Sequence, residues 1–335
     1  MTARRTMNMS ELAQLAGVSV STVSRALAGN TLINQTTRNR ITVLAQELGF
    51  QPNMRGRNLR LNRTDAIGVI LPLGHQTDQH LTDPFFLTLI GYLADELSDR
   101  GYDMLLKKVV PADDLWLQQF VASGRVDGVI VIGQSNQAEA IDRVARSFLS
   151  MVVWGAALPG QHYVSVGSDN VSGGALATRH LVDRGCRNLL FLGDSDAPEI
   201  GQREIGFRRT CAEAGLESSA HSVRVGLVAE TAYQELLGIL DSEVEVDGIV
   251  AASDVIAIAA IRALEVRGRR VPTDVAVIGY DDVPMAAHLT PQLTTVRQDL
   301  AQGAQLLVQK LFELIEGKRA ISAQMVPMLM VRETA

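Results

Sequence analysis

The sequence contains only two cysteines, Cys186 and Cys211, among 335 residues, which excludes a disulfide framework and indicates a reducing compartment. No apolar run approaches the roughly 18 residues that a membrane-spanning helix needs, because charged side chains interrupt every candidate. The N-terminal residues are polar and contain no apolar segment of the kind that directs secretion. Together these absences predict a soluble, cytoplasmic protein that does not bind membranes.

The sequence also lacks the short motifs that are typical of nucleotide-binding and hydrolytic enzymes. GxGxxG, Walker A, HExxH, CxxC and GxSxG are all missing. The six histidines are scattered without the spacing of metal ligands. The sequence therefore predicts no catalytic residue, no metal site and no cofactor.

The formal charge is distributed unevenly along the chain. Residues 1–65 carry a net charge of +6, because nine arginines stand against three acidic residues, whereas the remaining residues carry −12. A basic head on an acidic body predicts that the head binds a polyanion such as nucleic acid. A solvated basic tail is the alternative, but the head has no proline before Pro52, which favours folded helices.

Capping residues and glycines predict three short helices in this head, over residues 9–16, 20–28 and 35–48. The predicted N-terminal caps are Asn8, Ser19 and Asn34. The apolar residues expected to form a small core are Leu12, Leu15, Val18, Val23, Leu27, Ile41, Leu44, Ala45 and Leu48.

The first two helices are joined by Ala16-Gly-Val-Ser19, and this arrangement is typical of a helix-turn-helix that places its second helix in a major groove. Arg25 can bind a guanine edge through two hydrogen bonds. A three-helix protein-binding module would show the same periodicity, but the arginine surplus and the small outward residues favour DNA. The residues of the second helix predicted to contact DNA are Val20, Ser21, Thr22 and Arg25.

From Ala66 onward, short apolar strands alternate with amphipathic helices, and this pattern predicts an α/β body of two doubly wound parallel sheets. The predicted strands include Ala66–Leu71, Tyr102–Leu106, Gly128–Ile132, Met151–Trp154, Tyr163–Val166, Asn188–Leu192, Gly248–Ala251, Val275–Gly279 and a final strand Gln324–Val331. Such sheets bind small molecules beyond the carboxyl ends of their strands. Two of them would form a cleft.

The run from Met9 to Leu27, MSELAQLAGVSVSTVSRAL, resembles the DNA-binding headpiece of the lactose/galactose/purine repressor family, and the match continues at Thr37-Arg38 and at Leu48–Asn53. The resemblance extends through the chain to Val331-Arg332-Glu333. It implies a transcriptional regulator, most often a repressor, with a periplasmic-binding-protein-like body. The implied partners are a pseudo-palindromic operator in double-stranded DNA, a small-molecule effector and a second copy of the chain. Thr37 and Arg38 join the expected DNA contacts.

The same resemblance implies a division of the chain into a headpiece over 7–51, a hinge helix with linker over 52–65, and a ligand-binding and dimerisation domain over 66–335. The last is expected to contain two discontinuous subdomains, the first near 66–165 and 297–322 and the second near 166–294 and 324–332. Because the chain ends soon after the predicted final strand, we expect a homodimer without a tetramerisation tail.

In the family, paired hinge helices enter the minor groove and a leucine unstacks base pairs there. By that resemblance, Arg57 and Leu59 are expected DNA contacts. Gly56 replaces the usual alanine, which costs the hinge roughly 0.5–1 kcal/mol of helix propensity. A flexible linker is the alternative interpretation of this segment.

Strand ends and family positions together predict a ligand site of aromatic, amide and charged side chains. An aromatic ring suits the C–H face of a sugar, and amides or carboxylates suit its hydroxyl groups. The expected ligand-binding residues are Phe85, Phe86, Gln134, Trp154, Arg203, Asp254, Asp281 and Gln298. Structural roles stay open for several of them, including core positions for the aromatic rings and a helix cap at Asp254.

This combination predicts a sequence-specific regulator that a small, glucose-containing carbohydrate releases from its operator. A regulator with a purine or other non-sugar effector is the nearest alternative. A sugar-active enzyme would leave the helix-turn-helix unexplained, and a protein that coats DNA without sequence preference would leave the cleft unexplained.

Overall fold

The computed structural model describes residues 7–27, 29–50, 63–74, 77–242 and 245–335. The chain divides into two compact units, residues 1–63 and residues 64–335. Throughout these described ranges, every helix is too short or too polar to cross a bilayer.

The first unit contains three helices, α1 (Met9–Ala16), α2 (Val20–Leu27) and α3 (Gln35–Glu47). Asn8 caps α1 by accepting hydrogen bonds from two backbone N–H groups, and the Glu11 carboxylate accepts from the Asn8 N–H in return. The predicted capping pair is therefore confirmed. Gly17 follows α1 with a φ of 64°, a left-handed conformation that glycine adopts without steric cost.

The core of the headpiece is built on Leu12, Val23 and Ile41, which are fully buried, with small residues and Phe50 around them. Two predicted core residues are exposed: Leu15 by 60% and Leu48 by 39%. Leu15 is outside the core because the inward face of α1 runs through Leu12 and the two buried alanines. Leu48 lies past the end of α3, where a turn brings Phe50 into the core instead.

Residues 64–335 form two six-stranded sheets with helices packed against them. The strands of the first sheet are β1 (Ala66–Pro72), β2 (Asp103–Val109), β3 (Gly128–Ile132), β4 (Met151–Trp154), β5 (Val164–Ser168) and β11 (Ala323–Met325). Those of the second are β6 (Leu189–Leu192), β7 (Ala220–Val223), β8 (Gly248–Ala251), β9 (Ala276–Asp281), β10 (Thr294–Arg297) and β12 (Met328–Met330). The helices are α4 (Pro84–Ser98), α5 (Trp116–Ala122), α6 (Ala138–Ala145), α7 (Asn170–Asp183), α8 (Pro198–Glu213), α9 (Ala229–Leu240), α10 (Asp254–Val266) and α11 (Leu300–Ile315).

The first sheet has the order β11-β5-β4-β3-β1-β2 and all its strands are parallel. The second has the order β12-β10-β9-β8-β6-β7, and only its edge strand β12 is antiparallel among the described pairings. The α/β architecture of two doubly wound parallel sheets is thus confirmed. Each central strand is buried on both faces, which explains why Val and Ile dominate them.

The last predicted strand is divided in the structure. The predicted final strand Gln324–Val331 is in fact two strands, β11 and β12, which belong to different sheets. The break falls at Val326-Pro327, where proline cannot donate to a continuing ladder. Residues 324–325 therefore pair in the first sheet, and β5 also keeps residues 166–168 there.

Residues 64–335 consist of two halves, each built on one of the two sheets. Helices α7 and α8 pack unusually closely in the half that contains the second sheet. A Cβ on Gly174 would lie 2.0 Å from the carbonyl oxygen of Arg203, and one on Gly206 would lie 2.0 Å from that of Val171. Only glycine permits backbones to approach in this way. The contact sets the position of Arg203 relative to α7.

We expect Gly206→Ala to destabilise the protein by about 1–3 kcal/mol, because the added methyl group would force α7 and α8 apart. The matched control is Gly238→Ala in α9, where an added Cβ would contact nothing within 4 Å. That control should stabilise the protein by about 0.5–1 kcal/mol through helix propensity. Chemical denaturation of both variants measures the difference, and equal stabilities would contradict the close packing.

Candidate functional site

The outward surface of α2 carries short polar side chains and one arginine. Val20, Ser21 and Arg25 are exposed, and Thr22 is half-buried. The Ser19 Oγ accepts from the Thr22 N–H at 3.2 Å and lies 2.8 Å from the hydroxyl oxygens of both Ser21 and Thr22. The outward surface of α2 thus presents hydroxyl groups in its first turn and a guanidinium group in its last turn, and these groups can reach base edges and phosphates.

Arginines of α3 partly serve the fold of the headpiece. Arg38 donates to the carbonyl oxygen of Gly29 at 3.2 Å, and Arg40 donates to that of Ala16 at 3.0 Å. Thr37 is half-buried beside Arg38. Arg57 and Leu59, the two DNA contacts expected in the hinge, lie outside the described residues.

The carboxyl ends of the strands in both sheets border one cleft, whose space is about 680 Å³ when the part open to solvent is included. Six of the eight expected ligand residues line it: Phe85, Phe86, Trp154, Arg203, Asp281 and Gln298. The cleft is also lined by residues that follow strand ends or begin helices, namely Pro72, Leu73, Gln79, Asp83, Ile132, Gly133, Ser135, Ala197, Glu199, Ile200, Leu227 and Ser253.

Aromatic rings form the wall on the side of the first sheet. The ring centroids of Phe85 and Trp154 are 6.0 Å apart, and those of Phe85 and Phe86 are 5.6 Å apart in an edge-to-face arrangement. Asp83 caps α4 by accepting from the Phe85 N–H at 2.9 Å, which fixes where the aromatic pair begins. Phe86 and Trp154 are largely buried, so both also belong to the core, whereas Phe85 is half-buried.

A buried polar cluster occupies the side of the second sheet. The Gln298 Nε2 donates to the Asp281 Oδ1 at 2.7 Å, and the Arg203 Nη1 lies 4.0 Å from the same oxygen. The Arg203 Nε donates to the Asn170 Oδ1 at 2.9 Å, and its guanidinium lies 3.8 Å from the centre of the Tyr280 ring. This arrangement can accept hydrogen bonds from ligand hydroxyl groups through Asp281.

Burial raises the pKa of Asp281 to about 7, although the nearby Arg203 and the hydrogen bond from Gln298 act in the opposite direction. Asp281 also has a φ of 116°, in the left-handed region that non-glycine residues rarely adopt. Strain of this kind concentrates at binding sites because the surrounding structure must hold it in place. The adjacent Asp282 accepts from Arg297 and Arg332 instead, so the two carboxylates have separate roles.

Gln134 does not reach the cleft, contrary to expectation. It is fully buried, its Nε2 donates to the Ala156 carbonyl and the Tyr163 hydroxyl, and its Oε1 accepts from the Ala156 N–H, at 2.7–2.9 Å. All the hydrogen-bonding groups of its side chain therefore hold the segment between β4 and β5. Its neighbours Gly133 and Ser135 line the cleft in its place.

Asp254 does not line the cleft and does not cap α10, and its carboxylate is bound within the protein. Its carboxylate accepts from the Thr295 hydroxyl at 2.6 Å and from the Val283 N–H at 2.8 Å. Burial raises its pKa well above the usual range. Ser253 caps α10 instead, by accepting from the Ile256 N–H.

Several polar lining residues were missed by sequence reasoning, among them Gln79, Asp83 and Glu199. Asp83 precedes Pro84-Phe85-Phe86, so its capping position was a usable signal. Glu199 had none, because α8 belongs to the second half of the unit. Its Oε1 nevertheless accepts from the Gln134 N–H of the first half at 3.2 Å.

Comparison with known proteins identifies both units. Residues 8–53 match the model of bacterial regulatory proteins of the lacI family, and residues 178–335 match that of a periplasmic binding protein-like domain. The HTH-type transcriptional regulator CelR of Thermobifida fusca is 30% identical over 99% of this chain and 99% of its own length. The repressor PurR of Photobacterium profundum is 28% identical over 92% of each chain.

A solved structure of a CelR–cellobiose complex has a TM-score of 0.71 to this chain at 28% identity, covering 98% of this chain and 100% of the other. The matches extend from the headpiece through both sheets. The chain therefore belongs to the lacI family of bacterial regulatory proteins, and it is a DNA-binding transcriptional regulator rather than an enzyme.

Proposed function

We propose that this regulator binds operator DNA and that a small carbohydrate in the cleft controls this binding. The observation that carries the proposal is the pairing of an aromatic wall with a buried carboxylate, amide and guanidinium across one cleft. An aromatic face contacts the C–H groups of a sugar ring, while the polar groups accept and donate to its hydroxyls. The similarity to a cellobiose complex supports the same effector class.

A glucose-containing disaccharide is the proposed effector. Three rings along the wall suit a ligand with more than one sugar ring.

The proposed switch is a shift between arrangements of the two halves of the body. A ligand can change DNA affinity only if it binds one arrangement more tightly than the other. Because the cleft is lined from both sheets, a bound sugar would contact both halves at once and favour the arrangement that fits it. We propose that this arrangement releases DNA.

A homodimer is the proposed assembly, since helix-turn-helix proteins usually read two half-sites of a pseudo-palindrome. Large apolar side chains are exposed on α4, on the neighbouring edge strand β2 and directly after that strand: Leu87, Tyr92, Leu106 and Val110. Several large apolar side chains exposed on neighbouring elements are typical of an interface. We propose that a second copy of the chain covers it.

The dimer surface predicts that Leu87→Arg yields a monomer at micromolar concentration, because an unpaired guanidinium would be buried at the interface. Leu149→Arg is the matched control, since Leu149 is exposed by 70% and lies away from α4 and β2. Sedimentation velocity distinguishes the two variants. A wild-type monomer, or a dimeric Leu87→Arg variant, would contradict this surface.

For the DNA face, we expect Arg25→Ala to weaken binding to operator by about 10–100-fold but binding to random duplex much less, because base contacts carry the sequence information. Arg38→Ala should weaken both to a similar extent and reduce the salt dependence. Fluorescence anisotropy at several salt concentrations measures both effects. If Arg25→Ala lowered both affinities by one common factor, α2 would not be the helix that reads bases.

For the cleft, Asp281→Asn and Arg203→Ala should abolish operator release by cellobiose while operator binding itself stays nearly intact. Arg203→Ala should also cost about 1–3 kcal/mol of stability, because its buried partners lose their donor. The control is Arg262→Ala, an exposed arginine of α10 that does not line the cleft. Release by unchanged cellobiose concentrations in both cleft variants would contradict the site.

The same titration has a pH signature. With a pKa of about 7, Asp281 is mostly protonated at pH 6 and mostly ionised at pH 8. Sugar hydroxyls donate to the ionised form, so cellobiose affinity should rise up to about tenfold across this range. Arg203, Gln298 and Asp83 face this carboxyl group and also shape its titration. Asp281→Asn should remove the rise.

A further inference from the structure

The charged groups around the cleft are predominantly acidic. Its described lining contains three carboxyl groups, from Asp83, Glu199 and Asp281, and a single cation, Arg203. The positive charge of Arg203 is therefore outnumbered wherever a ligand could contact it. A ligand that brings a phosphate or carboxylate group into this space would face repulsion from the surrounding carboxylates.

Arg203 is, moreover, already engaged by the protein. Its Nε donates to Asn170, its Nη1 donates to the carbonyl oxygen of Ala252, and its guanidinium stacks on Tyr280. Recognition of a phosphate or carboxylate usually requires both arms of a guanidinium fork to be available. Arg203 instead stabilises the buried polar cluster and is poorly placed to receive an anion.

Gln79 lines the same space and carries an unsatisfied acceptor. Its side chain is only 4% exposed, its Nε2 donates to the Asp83 Oδ2 at 3.1 Å, and its Oε1 is buried with no hydrogen-bond partner. The Lys108 ammonium donates to the Gln79 carbonyl oxygen and so fixes the backbone that carries this amide. A buried acceptor without a donor is unfavourable, so a ligand hydroxyl group at this position would be stabilising.

Asp83 completes this acceptor pair. One of its oxygens caps α4 and the other accepts from Gln79, so the carboxylate is held rigidly at the rim of the aromatic wall. Burial raises its pKa, while the hydrogen bond from Gln79 and those from the α4 backbone act against that shift. Acceptors therefore line the cleft from both halves of the body, with Gln79 and Asp83 from the first and Asp281 from the second.

From these contacts we infer that the effector is an uncharged polyol, that sugars bearing a phosphate or carboxylate group are excluded, and that Gln79 and Asp83 are specificity-determining contacts. The inference rests on the proposed function, in which the cleft is the effector site. It narrows that function by naming the charge of the effector and the residues that select it.

The test is a calorimetric binding series at pH 7.5 on the full-length protein. The probes are cellobiose and maltose, their 6-phosphates, and cellobionic acid, which carries a carboxylate. We expect at least one neutral disaccharide to bind, and its phosphate or carboxylate derivative to bind at least about 100-fold more weakly.

Two variants probe the assigned residues. Gln79→Met removes the free acceptor and should weaken binding of the neutral disaccharide about tenfold. Asp83→Asn keeps the helix cap but removes the negative charge. It should therefore reduce the ratio of the affinity for the neutral disaccharide to that for its 6-phosphate by about threefold or more. Matched controls are Gln305→Met and Asp299→Asn, the latter the exposed cap of α11, and both should leave binding unchanged.

The possible outcomes distinguish a failure of this inference from a failure of the proposed function. Binding of a phosphorylated sugar as tightly as its neutral parent would overturn the inference and leave the sugar-responsive function intact. Unchanged affinities in Gln79→Met and unchanged discrimination in Asp83→Asn, in proteins that melt normally, would overturn the assignment of these residues. Failure of every sugar to bind would overturn the proposed function together with the inference.

Discussion

The buried guanidinium of Arg203 is the interaction on which the cleft depends. It connects α7 through Asn170, the end of β8 through Ala252, and β9 through the ring of Tyr280. A buried arginine is tolerated only when its donors are paired, and here the pairing partners come from three separate elements. The close approach of α7 and α8 at Gly174 and Gly206 makes this convergence possible.

The carboxylates nearby show how burial assigns different tasks to one chemical group. The Asp254 carboxylate accepts hydrogen bonds from Thr295 and Val283, and the Asp282 carboxylate accepts from two arginines. Both carboxylates therefore act within the scaffold. Asp281 has a single close donor, from Gln298, and borders the cleft. The ion pairs of Asp282 therefore hold the chain next to the strained backbone of Asp281. The Asp281 carboxylate itself faces the cleft, where a ligand could donate to it.

The two halves of the body are joined in ways that permit a shift between them. Three chain crossings link the sheets, after β5, after β10, and between β11 and β12. On α8, Glu199 accepts from the Gln134 N–H and Gln202 donates to the Ala157 carbonyl, so two hydrogen bonds also span the halves. Because such bonds are individually modest in net free energy, they would not prevent the proposed shift between the halves.

The local secondary structure and the family could both be predicted from the sequence alone. The helices of the headpiece follow from caps and glycines within four residues of their ends, and the central strands follow from short Val- and Ile-rich runs. The ordered motif from Met9 to Leu27 carried the identity of the DNA-binding unit. These signals are local, so no knowledge of distant contacts was required.

Only the tertiary structure shows which polar residues meet in the cleft. A one-residue change of direction at the end of β3 separates Gln134, which holds the scaffold, from its lining neighbours Gly133 and Ser135. Glu199 and Gln79 enter the site from segments whose sequence shows no binding pattern. The exchange of sheets between β11 and β12 was equally invisible, because pairing partners lie more than 100 residues away for one and about 30 for the other. Local periodicity specifies an element, whereas its neighbours are chosen by contacts that are distant in sequence.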